Sequence, residues 1–210
     1  MFVKSNMIPL RKTHFVMEKD SVKQVLDLLE KHDIDGVPVV SDKRFKGILT
    51  RHSIYEAFFA SGKSKEQFLE KTKAGDIACC KNQTICEDEM FERTLLIVKD
   101  MPIVAVTDKH NHLLGVVTRY DVLEQFQSAF GMKKPGVRIS FASLETEGRI
   151  ARLSEITKQF HENIISLTTF DETDQLVRRM VMKVEKTPNL EKFVEKLSQS
   201  GFRILSIHED

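Results

Sequence analysis

The chain has 210 residues, 41% of them hydrophobic and 30% charged, with 32 Lys and Arg against 31 Asp and Glu. This is globular composition, sufficient for two domains or three small modules sharing cores, and it argues against disorder or a fibre. The balanced charge offers no surplus for nucleic acid or an anionic membrane, so no nucleic-acid partner is expected.

No stretch approaches the ~18 apolar residues of a membrane span. Residues 1–9 lack the long apolar run of a signal peptide. The sequence is therefore read as cytoplasmic, with no membrane insertion. Cys79, Cys80 and Cys86 lack the four-ligand spacing of a zinc site and are expected as small apolar thiols, with no metal.

In chain order, an extended segment at Phe15-Val16-Met17 precedes the acidic turn Asp20-Ser21, whose oxygens suit a helix N-cap. Val22, Val25, Leu26 and Leu29 then form a helical stripe. Val37-Pro38-Val39-Val40 and Lys46-Gly47-Ile48-Leu49-Thr50 read as a strand pair, with Ser53 opening a closing helix. The same order returns. Thr84-Ile85-Cys86 is extended, Asp88-Glu89 is the acidic turn, and Ile103 to Val106 and Leu114 to Thr118 are strands. Asp121 opens the next closing helix. Gly47-Ile48-Leu49-Thr50-Arg51-His52-Ser53 recurs sixty-eight positions later as Gly115-Val116-Val117-Thr118-Arg119-Tyr120-Asp121. At that same offset Asp20 matches Asp88, and Phe58 matches Phe126. Each unit is β-α-β-β-α and too small to stand alone, so the two must pack together.

Beyond Lys133-Lys134-Pro135-Gly136, a linker of charges and chain breakers, the order changes. Val137 to Phe141 alternates as a strand. A helix is expected over 149–161, strands over 164–168 and 177–184 around the polar turn 171–174, a helix from Pro188-Asn189 to Gly201, and a last strand over 202–207. This β-α-β-β-α-β order is ferredoxin-like.

Gly-Val-Pro-Val-Val at 36–40, Gly-Ile-Leu-Thr at 47–50 and Gly-Val-Val-Thr-Arg-Tyr-Asp at 115–121 resemble the CBS domain, which occurs as a tandem pair, the Bateman module. Gly148-Arg149-Ile150-Ala151-Arg152-Leu153 with Asn163-Ile164-Ile165-Ser166-Leu167 resembles an ACT domain. The module order is similar to that of the bacterial acetoin-utilisation B proteins. The expected fold is α+β. A first CBS repeat covers residues 1–71, a second covers 72–132, and an ACT-like domain covers 137–210.

The chemistry of Thr-x-x-Asp at a strand-to-helix turn suits a nucleotide. Backbone amides and the Thr118 hydroxyl at a helix N-terminus favour phosphate. The Asp121 carboxylate can accept both hydroxyls of a ribose, and Arg119 offers a planar fork. The alternative is that Asp121 only caps its helix. The resemblance implies an adenine nucleotide (AMP, ADP, ATP or a cyclic adenine dinucleotide), with Thr84 and Ile85 lining the crevice. Ser53 stands where the family usually has Asp, so Thr50, Arg51 and Ser53 form a second candidate site, either empty or taking a different ligand.

In the ACT-like part, the loop before the first helix, with Glu145, Gly148 and Arg149, is the candidate effector site. Glu145 and Glu147 oppose a carboxylate there, which leaves self-pairing as the alternative. No nucleophile–base pair is evident and no cofactor is implied, so a regulatory protein rather than an enzyme is expected. A homodimer acting on an unidentified regulated protein follows from the resemblance. The competing readings are an amino-acid sensor and a purely dimerising scaffold.

Overall fold

The computed structural model describes residues 1–144, 146–171 and 177–210. Glu145 and most of the polar turn expected at 171–174 lie outside them. The chain divides into two compact units, Met1–Leu123 and Glu124–Asp210.

In the first unit, β1 (Ile8–Pro9) and β2 (Val16–Met17) lead into α1 (Val22–Lys31), β3 (Gly36–Ser41), β4 (Arg44–Thr50) and α2 (Arg51–Ser61). Two short helices, α3 (Lys65–Lys71) and α4 (Ala74–Ile77), join these to β5 (Thr84–Cys86), α5 (Thr94–Val98), β6 (Ile103–Thr107), β7 (Leu113–Thr118) and α6 (Arg119–Ala129), which runs on into the second unit.

Local chemistry accounts for these elements. Ser21 and Gln24 form a reciprocal capping box at the start of α1, whose stripe Val22, Val25 and Leu29 is fully buried. The β3–β4 hairpin turns through Asp42 and Lys43, both left-handed, the geometry that matches strand twist.

The second repeat departs from the expected regularity. Its first helix is reduced to a 3-10 turn, Phe91–Arg93, and the five residues of α5. The N-cap there is Met90, which cannot accept a backbone proton, where the first repeat has Ser21. The acidic turn also pairs differently from the sequence match. Asp20 accepts from Met17 N at 2.7 Å, and its counterpart is Glu89, which accepts from Cys86 N at 3.0 Å, rather than Asp88. Asp88 instead holds Lys4 at 3.0 Å.

The two repeats exchange their lead-in segments. Val3 N and Lys4 N donate to Glu89 O and Glu87 O in the second repeat, each at 3.0 Å. Ala74 N and Gly75 N donate to Asp20 O and Glu18 O in the first, at 2.8 and 3.0 Å. Further along, Ile8 pairs with Val116, so β1 joins the sheet β1-β7-β6-β5, and Cys79 bridges Ile48 beside the sheet β2-β3-β4. The seam between the repeats is apolar, with Val40, Phe45 and Ile48 of one packed with Met101, Ile103, Ala105 and Leu113 of the other.

This crossing explains both motif glycines. A Cβ on Gly115 would stand 2.2 Å from Ile8 O, and one on Gly47 would stand 2.6 Å from Cys79 O. Backbone cannot yield as a side chain does.

The second unit contains β8 (Val137–Leu144), α7 (Arg149–Phe160), β9 (Ile164–Asp171), β10 (Val177–Val184), α8 (Leu190–Gln199) and β11 (Arg203–Glu209). The sheet is antiparallel in the order β11-β8-β10-β9, so the fourth and third strands flank the first. Its core joins Val137, Ile139 and Phe141 of β8 with Met180, Met182 and Val184 of β10, Leu153 and Ile156 of α7, and Phe193 and Leu197 of α8.

Two predictions follow from this geometry. Gly115→Ala should destabilise the fold by about 2–3 kcal/mol, the upper range for overpacking, as measured by urea unfolding. In the β6–β7 turn, Asp108 accepts from His112 N and His110 N, each at 2.8 Å, and faces the His112 ring at 2.9 Å. The His112 amide, then the His112 ring, hold its carboxyl down at about 2. A depressed carboxylate stabilises the fold fully above its unfolded value of 3.8, and that contribution is lost as pH falls through about 2. An NMR titration of the Asp108 carboxyl should find the low midpoint, and Asp108→Asn should abolish this part of the acid dependence.

Candidate nucleotide-binding cleft

Both strand-to-helix turns are reciprocal caps. At the first, Thr50 Oγ1 accepts from Ser53 N at 3.1 Å, while Ser53 Oγ accepts from Thr50 N at 3.0 Å and donates to Thr50 O at 3.0 Å. At the second, Thr118 Oγ1 accepts from Asp121 N at 3.1 Å and donates to Asp121 Oδ2 at 2.5 Å. The same Oδ2 accepts from Thr118 N at 2.9 Å. Oδ1 makes no hydrogen bond among the described residues.

The arginines that follow are tethers. Arg51 Nη2 donates to Leu29 O, and Arg119 Nε donates to Val98 O, both at 2.9 Å. Each ties a closing helix to the end of the preceding one. The sequence assigned the whole Arg119 fork to phosphate, but one donor is already spent. The two terminal nitrogens make no hydrogen bond among the described residues.

Beside the second cap lies a cleft of about 280 Å³. Thr118, Arg119 and Tyr120 form one side of it. Pro38, Ile103 and Val116 give apolar wall. Lys12, Thr13 and His14, from the lead-in segment of the first repeat, close it. Asp33 and Asp35, beyond α1, add acceptors. His14 stacks on His32 with ring centroids 3.8 Å apart, and burial, then His14 and Lys31, lower the His32 pKa. An exposed aromatic ring, Tyr120, sits at this margin. Acceptors, cations and aromatic faces together can hold a flat base, a polyol and an anion.

Thr84 and Ile85 do not line this cleft. They lie on β5, at the far edge of the sheet, where Thr84 pairs with Ala105 and Ile85 is buried. Sequence reading took the lining segment from the second repeat itself. The exchange brings it from the first, which is why Lys12, Thr13 and His14 were missed. The sequence carries no signal for this, since the exchange shows only in the fold, where Ile8 against Val116 mirrors Cys79 against Ile48. Arg51, Ser53 and Asp121 do not line this cleft, nor does Thr50, which pairs with the lining residue Gly36.

In the C-terminal unit, Gly148 is left-handed at the N-cap of α7 and borders a small cavity of about 150 Å³ with Arg149. Arg149, however, donates to Ser143 Oγ and Gly201 O at 2.6 Å each and lies over the Phe202 ring. It thereby closes off the last turn of α8.

Paired β-α-β-β-α units that exchange lead-ins beside a polar-rimmed cleft define a tandem-repeat module. The CBS domain family model matches residues 5–60 and again 74–128, more than half of the chain, and the chain belongs to this family as a tandem CBS pair. Inosine-5'-monophosphate dehydrogenase of Methanocaldococcus jannaschii is 23% identical over 123 residues, which are 58% of this chain and 23% of that protein. The chain thus spans under a quarter of that relative's length. Among solved structures, CbpB in complex with c-di-AMP is similar at a TM-score of 0.53 and 19% identity, over 61% of this chain and 85% of that one. CBSX2 in complex with AMP is similar at a TM-score of 0.51 and 22% identity, over 60% and 95%. At these identities the likeness is one of fold. No helix among the described residues is long and apolar enough to cross a membrane.

Thr118→Ala should cost about 1 kcal/mol in urea unfolding, the usual value of a lost cap, because it removes the acceptor for Asp121 N.

Proposed function

We propose that the chain is a regulatory sensor that binds an adenine nucleotide in the cleft beside Thr118 and passes the event to a partner protein. The observation that carries this reading is the second cap. Asp121 fulfils its structural duty through one oxygen and keeps the other unpaired; it does not itself line the cleft but follows directly on Thr118, Arg119 and Tyr120, which line it together with Lys12. In this reading Asp121 accepts the ribose hydroxyls, and the terminal nitrogens of Arg119 with Lys12 take the phosphate charge, since the Thr118 hydroxyl proton and the amides of Thr118, Arg119 and Asp121 are already given within the fold. The base lies against Pro38, Ile103 and Val116. The likeness to folds holding AMP and c-di-AMP supports this ligand class.

A cleft of about 280 Å³ is near the lower bound of small-molecule sites, roughly 300 Å³, and suits one nucleoside with its phosphates emerging. The mononucleotides AMP, ADP and ATP therefore precede a cyclic dinucleotide, which would need a second cleft or a second copy. Thr84 and Ile85 act at most through the sheet that carries β7. The Thr50, Arg51 and Ser53 cap has spent its Ser53 hydroxyl within the backbone turn, and we assign it a structural role.

Binding can signal only through differential affinity for two packings of the repeats. A cytoplasmic homodimer is the form we propose for it. The second unit has the β-α-β-β-α-β order of ACT domains, and with the CBS pair before it the chain is similar to acetoin-utilisation B proteins. We propose this unit as the reader of the signal. An amino-acid effector at Glu145, Gly148 and Arg149 is the second reading. The cavity beside Gly148 favours it, and the internal bonds of Arg149 weigh against it.

Calorimetric titration with AMP, ADP, ATP and c-di-AMP is the test, with Asp121→Asn alongside. Asparagine keeps a capping oxygen but loses the charge, so the dissociation constant should rise about tenfold or more with folding intact. Binding unaltered by Asp121→Asn, or no binding by any nucleotide, refutes the site. Saturation by an amino acid instead transfers the role to the cavity at Gly148.

A further inference from the structure

The second unit carries a feature that the nucleotide reading does not use. Side chains of β8 and β10 alternate between two faces. Val137, Ile139 and Phe141, with Met180, Met182 and Val184, face the helices and form the core. Arg138 and Lys183, paired across the two strands, belong to the opposite face. That face should be open to water, yet Lys183 is only 4% exposed.

The cover is the segment that follows α6. Gly131 O accepts from Lys183 Nζ at 3.1 Å, and Phe130 O accepts from Ser166 Oγ at 2.9 Å. Gly131 is left-handed there, and a Cβ on it would stand 2.6 Å from Ile165 Cγ2, so the backbone lies close against β9. Between this segment and the sheet remains a cavity of about 420 Å³.

Its chemistry is specific. An ammonium has three protons to give. Lys183 gives one to Gly131 O and one to the Asp210 carboxylate, its ion-pair partner. The third has no acceptor among the described residues, on a group that burial makes expensive to leave unsatisfied. Arg138 lines the same cavity and makes no side-chain hydrogen bond or ion pair among the described residues. The Asp210 side chain is the partner of Lys183, and Arg138 keeps its whole guanidinium fork unpaired among the described residues. Ser166 and Thr168 add hydroxyls, and Phe130, Met132 and Phe170 supply apolar wall.

We propose that this cavity binds a small monocarboxylate with a short alkyl or aryl body. The carboxylate takes the third proton of Lys183 and the fork of Arg138, and the apolar part lies against Phe130, Met132 and Phe170. One planar fork and one lysine proton match the two oxygens of a carboxylate better than a phosphate dianion, and the apolar wall has no use in binding an inorganic ion. The site lies wholly within the second unit and stands whether or not the first binds a nucleotide.

The test uses the full chain with methionine-methyl NMR and calorimetry. The probes are 4-methylpentanoate and phenylacetate, with their primary amides and inorganic phosphate as controls. Saturable binding of a carboxylate is expected, with the Met132 methyl shifted and the core Met182 methyl unmoved. Arg138→Ala, at an exposed side chain, should raise the dissociation constant about tenfold while the melting temperature holds, and Lys183→Met should do the same or more. No saturation at about 10 mM of either carboxylate, ten times a millimolar constant, overturns the proposal. So does equal binding of acid and amide, binding that leaves Met132 unmoved, binding indifferent to Arg138→Ala, or a preference for phosphate.

Discussion

The exchange of lead-in segments is the constraint from which the first unit follows. Neither repeat buries enough surface to fold by itself, and each lends its opening residues to the turn and strand of the other. Hydrogen bonds from Val3 and Lys4 to one acidic turn, and from Ala74 and Gly75 to the other, cannot form unless both repeats are present. The apolar seam of Phe45, Ile48, Met101 and Ile103 adds the non-directional part of the same coupling. The glycines of the two Gly-h-h-Thr motifs are consequences, because the borrowed backbone passes where their side chains would be.

The cleft inherits its composition from that exchange. One wall is the second repeat's own turn, Thr118 to Tyr120, and the other is the first repeat's lead-in, Lys12 to His14. A ligand seated there touches both repeats, so its binding energy depends on how they are packed. That is the physical requirement for a sensor, since a site within one rigid repeat would report nothing about the other. The helix tethers, Arg51 to Leu29 and Arg119 to Val98, fix each closing helix to its own repeat.

Much of this was legible in the sequence, and the failures have causes. Strands such as Val37 to Val40 and Ile103 to Val106 announce themselves by continuous apolar runs, and the repeat of Gly47 to Ser53 at Gly115 to Asp121 gives the turn twice. The acidic turns were matched one residue out of register. Asp20 and Asp88 are identical in type, but the bond to the strand amide is made by Asp20 and Glu89. The shortened first helix of the second repeat was missed because that repeat was read by analogy with the first, while its opening 3-10 turn is capped by Met90 and α5 by Arg93, neither with a side-chain capping bond. The place of Thr84 and Ile85 at a sheet edge, and of Lys12 to His14 at the cleft, depends on strand exchange. Exchange leaves no periodic trace, since a segment that pairs with a neighbouring repeat has the same composition as one that pairs with its own. In the second unit the order of elements could be read. The burial of Lys183 could not, because its cover comes from a turn some fifty residues earlier in the chain.

The two caps offer a comparison internal to the molecule. Ser53 and Asp121 occupy the same place and perform the same backbone duty, accepting from Thr50 N at 3.0 Å and from Thr118 N at 2.9 Å. Each also donates its own amide to the preceding threonine hydroxyl at 3.1 Å. Folding therefore has no need of a carboxylate at this position, since a hydroxyl serves equally well at the equivalent turn of the first repeat. A half-buried charge costs desolvation that a serine does not. The second oxygen of Asp121 has no structural task to offset that cost, and Asp121 follows directly on Thr118, Arg119 and Tyr120, which line the cleft, whereas no residue of the Ser53 turn does. The asymmetry between otherwise equivalent turns is what a ligand requirement at one of them produces, and it argues for reading the second turn as the site and the first as scaffold.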